Sequence, residues 1–206
     1  IEAEDLDAYA DTIAADYFEA GYDKELQLDK ISGWMEEYDD IKITDEDVNI
    51  FEDGELYDYR AIRTVTGVNA DGEMVDLVNG EINDYYKVED GTAVFYGSHS
   101  RFFEATYYSE TLGAEESYYL YLPEGYFDED NVTRYPSMYL LHGINSSANT
   151  YAIDDIDQVL DDAIAAGEID EMIVVIPSDP TKNSFWRGDY MTMVTQDLRK
   201  VVDGKY

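Results

Sequence analysis

The stretch Ser137-Met138-Tyr139-Leu140-Leu141-His142-Gly143-Ile144-Asn145-Ser146-Ser147 decides how this chain is read. A short apolar run between Pro136 and Gly143 predicts a buried strand that empties into a loop of small polar residues. In an open parallel sheet the ligand crevice lies just beyond the carboxyl ends of the strands, where loops carry backbone N–H groups toward a substrate. His142, Gly143 and Ile144 stand at that place. The alternative is that Gly143 only turns the chain and His142 is a packed core histidine, so the flanking sequence has to decide.

Downstream, Ile153, Ile156, Val159, Leu160, Ala163 and Ile164 recur at helical spacing and Gly167 follows as a terminator. The continuous apolar run over residues 172–176 then stops at Pro177. Strand, helix and strand at this spacing predict a βαβ unit with parallel, buried strands. After the loop Ser184-Phe185-Trp186-Arg187 a last helix is expected to carry Tyr190, Met193, Val194, Leu198, Val201 and Val202, with Gly204 at its end. A further central strand should come next in such a progression.

Upstream, Leu6, Tyr9, Ala10, Ile13, Ala14, Tyr17 and Phe18 predict an amphipathic helix closed by Gly21. Leu26, Leu28, Ile31, Trp34 and Met35 predict a second, shorter helix, and Ile41 to Phe51 read as short strands and loops. Asp45, Asp47 and Asn49 alternate like calcium ligands, but Ile50 and Leu56 stand where an EF-hand needs glycine and glutamate, so calcium binding is not expected. Residues 63–68 and 74–78 flank Asn69-Ala70-Asp71-Gly72, a hairpin turn. Residues 93–96, 101–108 and 117–122 are aromatic and β-branched strands, and His99 is expected to be a solvated loop histidine. Beyond Pro123-Glu124-Gly125-Tyr126, residues 128–131 form an acidic turn.

The chain has 206 residues, enough for a domain with a full core and part of another. Forty-eight Asp and Glu against thirteen Lys and Arg give a formal charge of -35, spread over both halves, which argues against nucleic acid and membranes as partners. No apolar run approaches the roughly 20 residues that cross a bilayer. Such a surface, with an opening residue Ile1 in place of methionine, suits a secreted or cell-surface protein with a processed leader, or a trimmed product. Without cysteine there is no disulfide, thiolate nucleophile or zinc-thiolate site, and neither metal nor cofactor is expected. Two sequons, at Asn131 and Asn145, are too common by chance to indicate glycosylation, and the twenty tyrosines suit sheets and sugar-stacking surfaces.

Four pieces of text in this order and spacing resemble the esterase D-like branch of the α/β-hydrolases, within it the feruloyl and acetyl-xylan esterases. They are Tyr119-Leu120-Tyr121-Leu122-Pro123-Glu124-Gly125-Tyr126, Tyr135-Pro136 running into the opening stretch as far as Ile144, Ala165-Ala166-Gly167-Glu168-Ile169, and Met172-Ile173-Val174-Val175-Ile176-Pro177. The segment around Asp197-Leu198 and Tyr206 is similar to the part that precedes the family's nucleophile. The resemblance covers about half of the chain and only the first half of the family's catalytic domain. It implies an α/β fold: an incomplete α/β-hydrolase sheet over about residues 100–206, with 99–206 as the amino-terminal part of an esterase domain; outside the resemblance, the helix-then-strands order of 1–98 suggests a small α+β accessory module.

The resemblance further implies that Ile144 supplies a backbone N–H of an oxyanion hole, with Gly143 letting the chain approach the substrate. His142, Asn145 and Ser146 would bind at the mouth beside Ser147, and Trp186 would either stack on a sugar or aromatic acyl group or simply pack under its loop. The family's nucleophile lies in a Gly-x-Ser-x-Gly elbow, which occurs nowhere in residues 1–206, and His99 and His142 both precede the expected acid and base. The expectation is a serine-type carboxylic-ester hydrolase acting on small-molecule or polysaccharide esters, its triad completed by the carboxy-terminal remainder of the same protein. The alternatives are a non-catalytic polysaccharide-binding or surface protein and an acyltransferase.

Overall fold

A computed structural model of the chain describes residues 6–128 and 130–206. The turn over 128–131 is seen on either side of Glu129, which lies outside the described residues, and Asn131 N–H donates to the Asp128 carbonyl at 2.9 Å. The chain divides into two compact units, Ile1–His99 and Ser100–Tyr206.

In the first unit the amphipathic pattern from Leu6 starts a helix, α1 (Leu6–Ala10), but the helix does not continue to Phe18. Phe95 N–H donates to the Thr12 carbonyl at 2.7 Å and Ala14 N–H donates to the Phe95 carbonyl at 2.9 Å, so Ile13 bridges a strand edge. Ile13, Ala14 and Tyr17 are buried as their pattern requires, because edge pairing hides the same side chains while satisfying the backbone. A small hairpin, β1 (Phe18–Glu19) with β2 (Tyr22–Asp23), leads into α2 (Lys24–Glu37), longer than expected and capped by the Asp23 side chain on Leu26 N–H at 2.9 Å.

The stretch read as short strands and loops is one long strand, β3 (Asp39–Asp53), followed by β4 (Leu56–Val68), β5 (Met74–Glu89) and β6 (Thr92–Phe95). They form an antiparallel sheet in the order β3-β4-β5-β6. Register shifts at Asp39/Lys42 and Glu46/Asn49, next to Asp40 and Asp47 at positive φ, explain why the period-2 signal was broken in the sequence. The expected turn at Asn69–Gly72 joins β4 to β5. Asp45 holds Arg63, and the bulge at Glu46/Asn49 puts Asp45 and Asn49 on opposite faces of the sheet, so the calcium-like alternation gathers no ligands. His99 corrects another expectation: it is half-buried, stacked on Tyr96 at 3.9 Å and bonded through Nε2 to the Asp16 carbonyl, and burial lowers its pKa.

The second unit is a four-stranded mixed sheet in the order β7-β8-β10-β9, from β7 (Phe102–Ser109), β8 (Ala114–Tyr121), β9 (Ser137–Tyr139) and β10 (Ile173–Pro177). β9 and β10 are parallel, joined through α3 (Asn149–Ile153) and α4 (Ile156–Ala165) as the βαβ reading predicts. Asp155 at positive φ breaks the single expected helix in two. β10 is buried throughout, whereas β9 is an edge strand with Met138 38% exposed, which corrects the expectation that the opening stretch is a buried strand.

Helices cover both faces of this sheet. On one, Leu160 packs with Tyr121, Val174 and Ile176, and Arg101 clamps Asp161 of α4 through two bonds of 2.8 and 2.6 Å while Tyr121 donates to the same carboxylate. On the other lies one continuous helix made of α5 (Asp189–Thr192), a π-helical segment (Met193–Leu198) and α6 (Arg199–Lys205). It runs through Gly204 instead of ending there. Ser109 Oγ and Thr111 N–H both donate to Asp197, at 2.7 and 2.9 Å, fixing this helix to the β7–β8 hairpin.

Candidate functional site

The parallel pairing of β9 and β10 sets the carboxyl ends of both strands side by side, so the loops that follow them, 140–148 and 178–188, meet. They enclose an open pocket with about 210 Å³ of empty space, mouth included, lined by His142, Gly143, Ile144, Asp179, Lys182, Phe185 and Trp186. Four of these residues were expected at the site. Asn145 and Ser146 lie at its edge, in the turn.

His142 is 4% exposed and organises the pocket from behind. Asp179 N–H donates to its Nε2 at 3.2 Å, so that nitrogen carries the lone pair and Nδ1 carries the proton, which is donated to the Gly143 carbonyl at 3.0 Å. Both readings of His142 therefore meet in one residue: it is packed, and it sits at the site. Ser146 N–H donates to the same Gly143 carbonyl at 3.1 Å and closes a turn with Asn145 at φ 59°, the geometry of a type II turn. Asn145 N–H donates to the Lys182 carbonyl at 2.9 Å, tying the two loops together.

These bonds orient the backbone. In a trans peptide the N–H points opposite the carbonyl, and no cis peptide occurs among the described residues. The Gly143 carbonyl is held by His142 and Ser146, so the Ile144 N–H is turned away from them. The His142 carbonyl accepts from Trp186 Nε1 at 2.9 Å, which turns the Gly143 N–H the other way. Neither N–H donates to a protein acceptor among the described residues. Gly143 is not at positive φ, and a Cβ there would meet nothing, so its absence leaves open space at the pocket instead of permitting a turn.

The 178–188 loop is built on Asp179, 4% exposed. Burial pushes its pKa up, but the bonds it accepts from Thr181 Oγ1 and N–H at 2.6 and 2.9 Å and from Ser184 N–H at 2.9 Å prevail and bring it down to about 2. Lys182, Phe185 and Trp186 all stand at positive φ, between 51° and 57°. Bulky side chains held in this region carry strain of order 1–2 kcal/mol per residue. Trp186 meets His142 edge to face at 5.0 Å, and Phe185 is 59% exposed at the rim.

Sequence reasoning passed over Asp179, Lys182 and Phe185. One signal was present: Asp179-Pro180-Thr181 directly after a buried strand is the sequence of an Asx turn.

Residues 109–206 match the sequence family described as "Putative esterase". Solved structures similar to the chain include a ferulic acid esterase, 27% identical over 51% of this chain and 44% of its own, with a TM-score of 0.44. The ferulic acid esterase of Anaeromyces mucronatus in complex with ferulic acid is 20% identical over 58% of this chain and 46% of its own, at 0.43. A function-unknown protein from Mycobacterium tuberculosis is 20% identical over 45% of this chain and 57% of its own, at 0.39. The chain spans less than half the length of the two ferulic acid esterases it matches. The pocket at the ends of β9 and β10 lies wholly within the matched residues.

Proposed function

We propose that the second unit is the amino-terminal part of a serine-type carboxylic-ester hydrolase domain, and that Ile144 N–H, with Gly143 N–H beside it, is its oxyanion hole. The observation that carries this reading is the locked Gly143–Ile144 peptide beside the pocket, its carbonyl held by His142 and Ser146 and its N–H without a protein acceptor among the described residues. Negative charge that builds on an ester carbonyl oxygen is stabilised by such a preorganised donor, worth roughly 3 to 4 kcal/mol. Trp186 and Phe185 offer ring surface for the acyl or sugar part of the ester, and an ester of a polysaccharide is the substrate the reading favours. Nucleophile, acid and base lie outside residues 1–206, with the first unit as an accessory module.

The edge of β9 is where the missing strand belongs in this reading. β9 is paired on one side only, and the Tyr139 hydroxyl is buried with no hydrogen-bond partner among the described residues. A second reading rests on the absence of Gly-x-Ser-x-Gly from residues 1–206: a non-catalytic polysaccharide binder that keeps the pocket. An acyltransferase would use the same donors and differ in the accepting nucleophile.

Ile144→Pro in the complete gene product separates these readings. Proline suits the second position of a type II turn and deletes only the N–H. Hydrolysis of p-nitrophenyl acetate or methyl ferulate should fall by about 10²- to 10³-fold in kcat, with fluorophosphonate labelling of a serine retained and Ile144→Ala close to wild type. A gene product with no fluorophosphonate-reactive serine supports the binder, and unchanged kcat in Ile144→Pro removes Ile144 from the oxyanion hole.

A further inference from the structure

The first unit carries a larger pocket, independent of the esterase reading. Ile50, Tyr57, Tyr59, Tyr86, Val88 and Ala93 line about 890 Å³ of empty space, mouth included. Strand register sets them on one face: Ile50 is opposite Tyr59, Tyr57 opposite Tyr86, and Val88 opposite Ala93. The bulge at Glu46/Asn49, just before Ile50, bends and twists β3. Ile50 is 61% and Val88 52% exposed, so aliphatic surface is gathered in one concave place instead of being scattered.

The polar groups behind this wall are already engaged. Tyr59 donates to Asp45 at 2.8 Å, and Arg63 donates to Asp45 at 2.9 and 2.8 Å and to Asp84 at 2.7 Å. Beside them the Tyr86 ring meets Tyr59 at 5.5 Å in an edge-to-face arrangement. The Tyr59 hydroxyl is thus tied to the network, and Tyr59 and Tyr86 both line the space.

We propose that this pocket binds one uncharged aromatic molecule of one or two rings. Ring faces and aliphatic carbon are what the lining offers, and tyrosines favour offset or edge-on packing against another ring. A sugar would give up water for its hydroxyls and find the Tyr59 and Arg63 donors already spent on Asp45 and Asp84. An anion meets those two carboxylates against a single guanidinium in a chain of formal charge -35. The pocket's cavity volume of about 500 Å³ falls in the range of small-molecule sites, roughly 300 to 1,000 Å³.

6-Propionyl-2-(dimethylamino)naphthalene, an uncharged fluorescent two-ring compound, tests this with the full chain. Saturable one-site binding is expected, displaced by 2-naphthol but not by xylose or benzoate. Ala93→Trp and Val88→Trp fill the pocket from exposed strand positions that favour large rings. Each should weaken binding by at least about tenfold, or 1.4 kcal/mol, with an unchanged far-ultraviolet circular dichroism spectrum. Non-saturable binding, equal affinity in both variants, or displacement by xylose or benzoate overturns the proposal. A change in sedimentation on substitution also overturns it, by showing that the face is an interface between two copies.

Discussion

Asp179 is the residue on which the pocket's second loop depends, because one buried carboxylate collects the donors of Thr181 and Ser184. Its pKa is held at about 2, below the usual carboxylate value of about 3.9, so its stabilisation is fully present above pH 4 and is lost as pH falls through 2. Asp179→Asn should remove roughly 2 kcal/mol at neutral pH and flatten that acid limb. Urea unfolding from pH 2 to 7, followed by Trp186 fluorescence in a Trp34→Phe background, checks both. His142→Ala leaves Asp179 N–H without its partner and the Gly143 carbonyl with Ser146 N–H alone, and should cost about 1 to 3 kcal/mol in the same assay. At this scale His142, Gly143 and Ile144 were legible as a loop at a strand end. Lys182 and Phe185 were not, because only strand pairing carries a loop some 40 residues later in the chain onto them.

Among the elements, α4 shows a sequence signal that held. Gly167 at φ 69° closes it, with Glu168 N–H donating to the Ala163 carbonyl and Gly167 N–H to that of Ile164, both at 2.9 Å. A Cβ at Gly167 would meet nothing, so Gly167→Ala should cost only the backbone term, about 1 kcal/mol, seen as a small fall in Tm. Gly204 misled because a glycine ends a helix only where the chain turns left-handed, and it is not at positive φ. α1 misled for another reason: apolar spacing says which side chains are buried, not whether the backbone bonds to itself or to a sheet edge. In the first sheet Arg63 stands between two carboxylates, and Arg63→Ala should destabilise by about 3 to 5 kcal/mol, measured by urea unfolding.

For the whole molecule the open edge of β9 is the decisive feature. A strand bonded on one side only, with Met138 exposed on it, is a template for association. A polypeptide of residues 1–206 alone should therefore associate, and Met138→Lys should reduce this in sedimentation velocity; a monomer that melts cooperatively would contradict it. The sequence by itself determined that the second unit is α/β with a parallel strand pair, that His142–Ile144 lie at a strand's carboxyl end, and that the hairpin turns at Gly72, because these rest on periodicity and on local backbone preferences. Only the tertiary structure decided that β9 is an edge strand, that the residues after Ala10 pair with β6, and that Asp179 and Phe185 complete the pocket. The physical reason is that strand order and the partner of each backbone group are settled between segments distant in the chain, where local sequence carries no term.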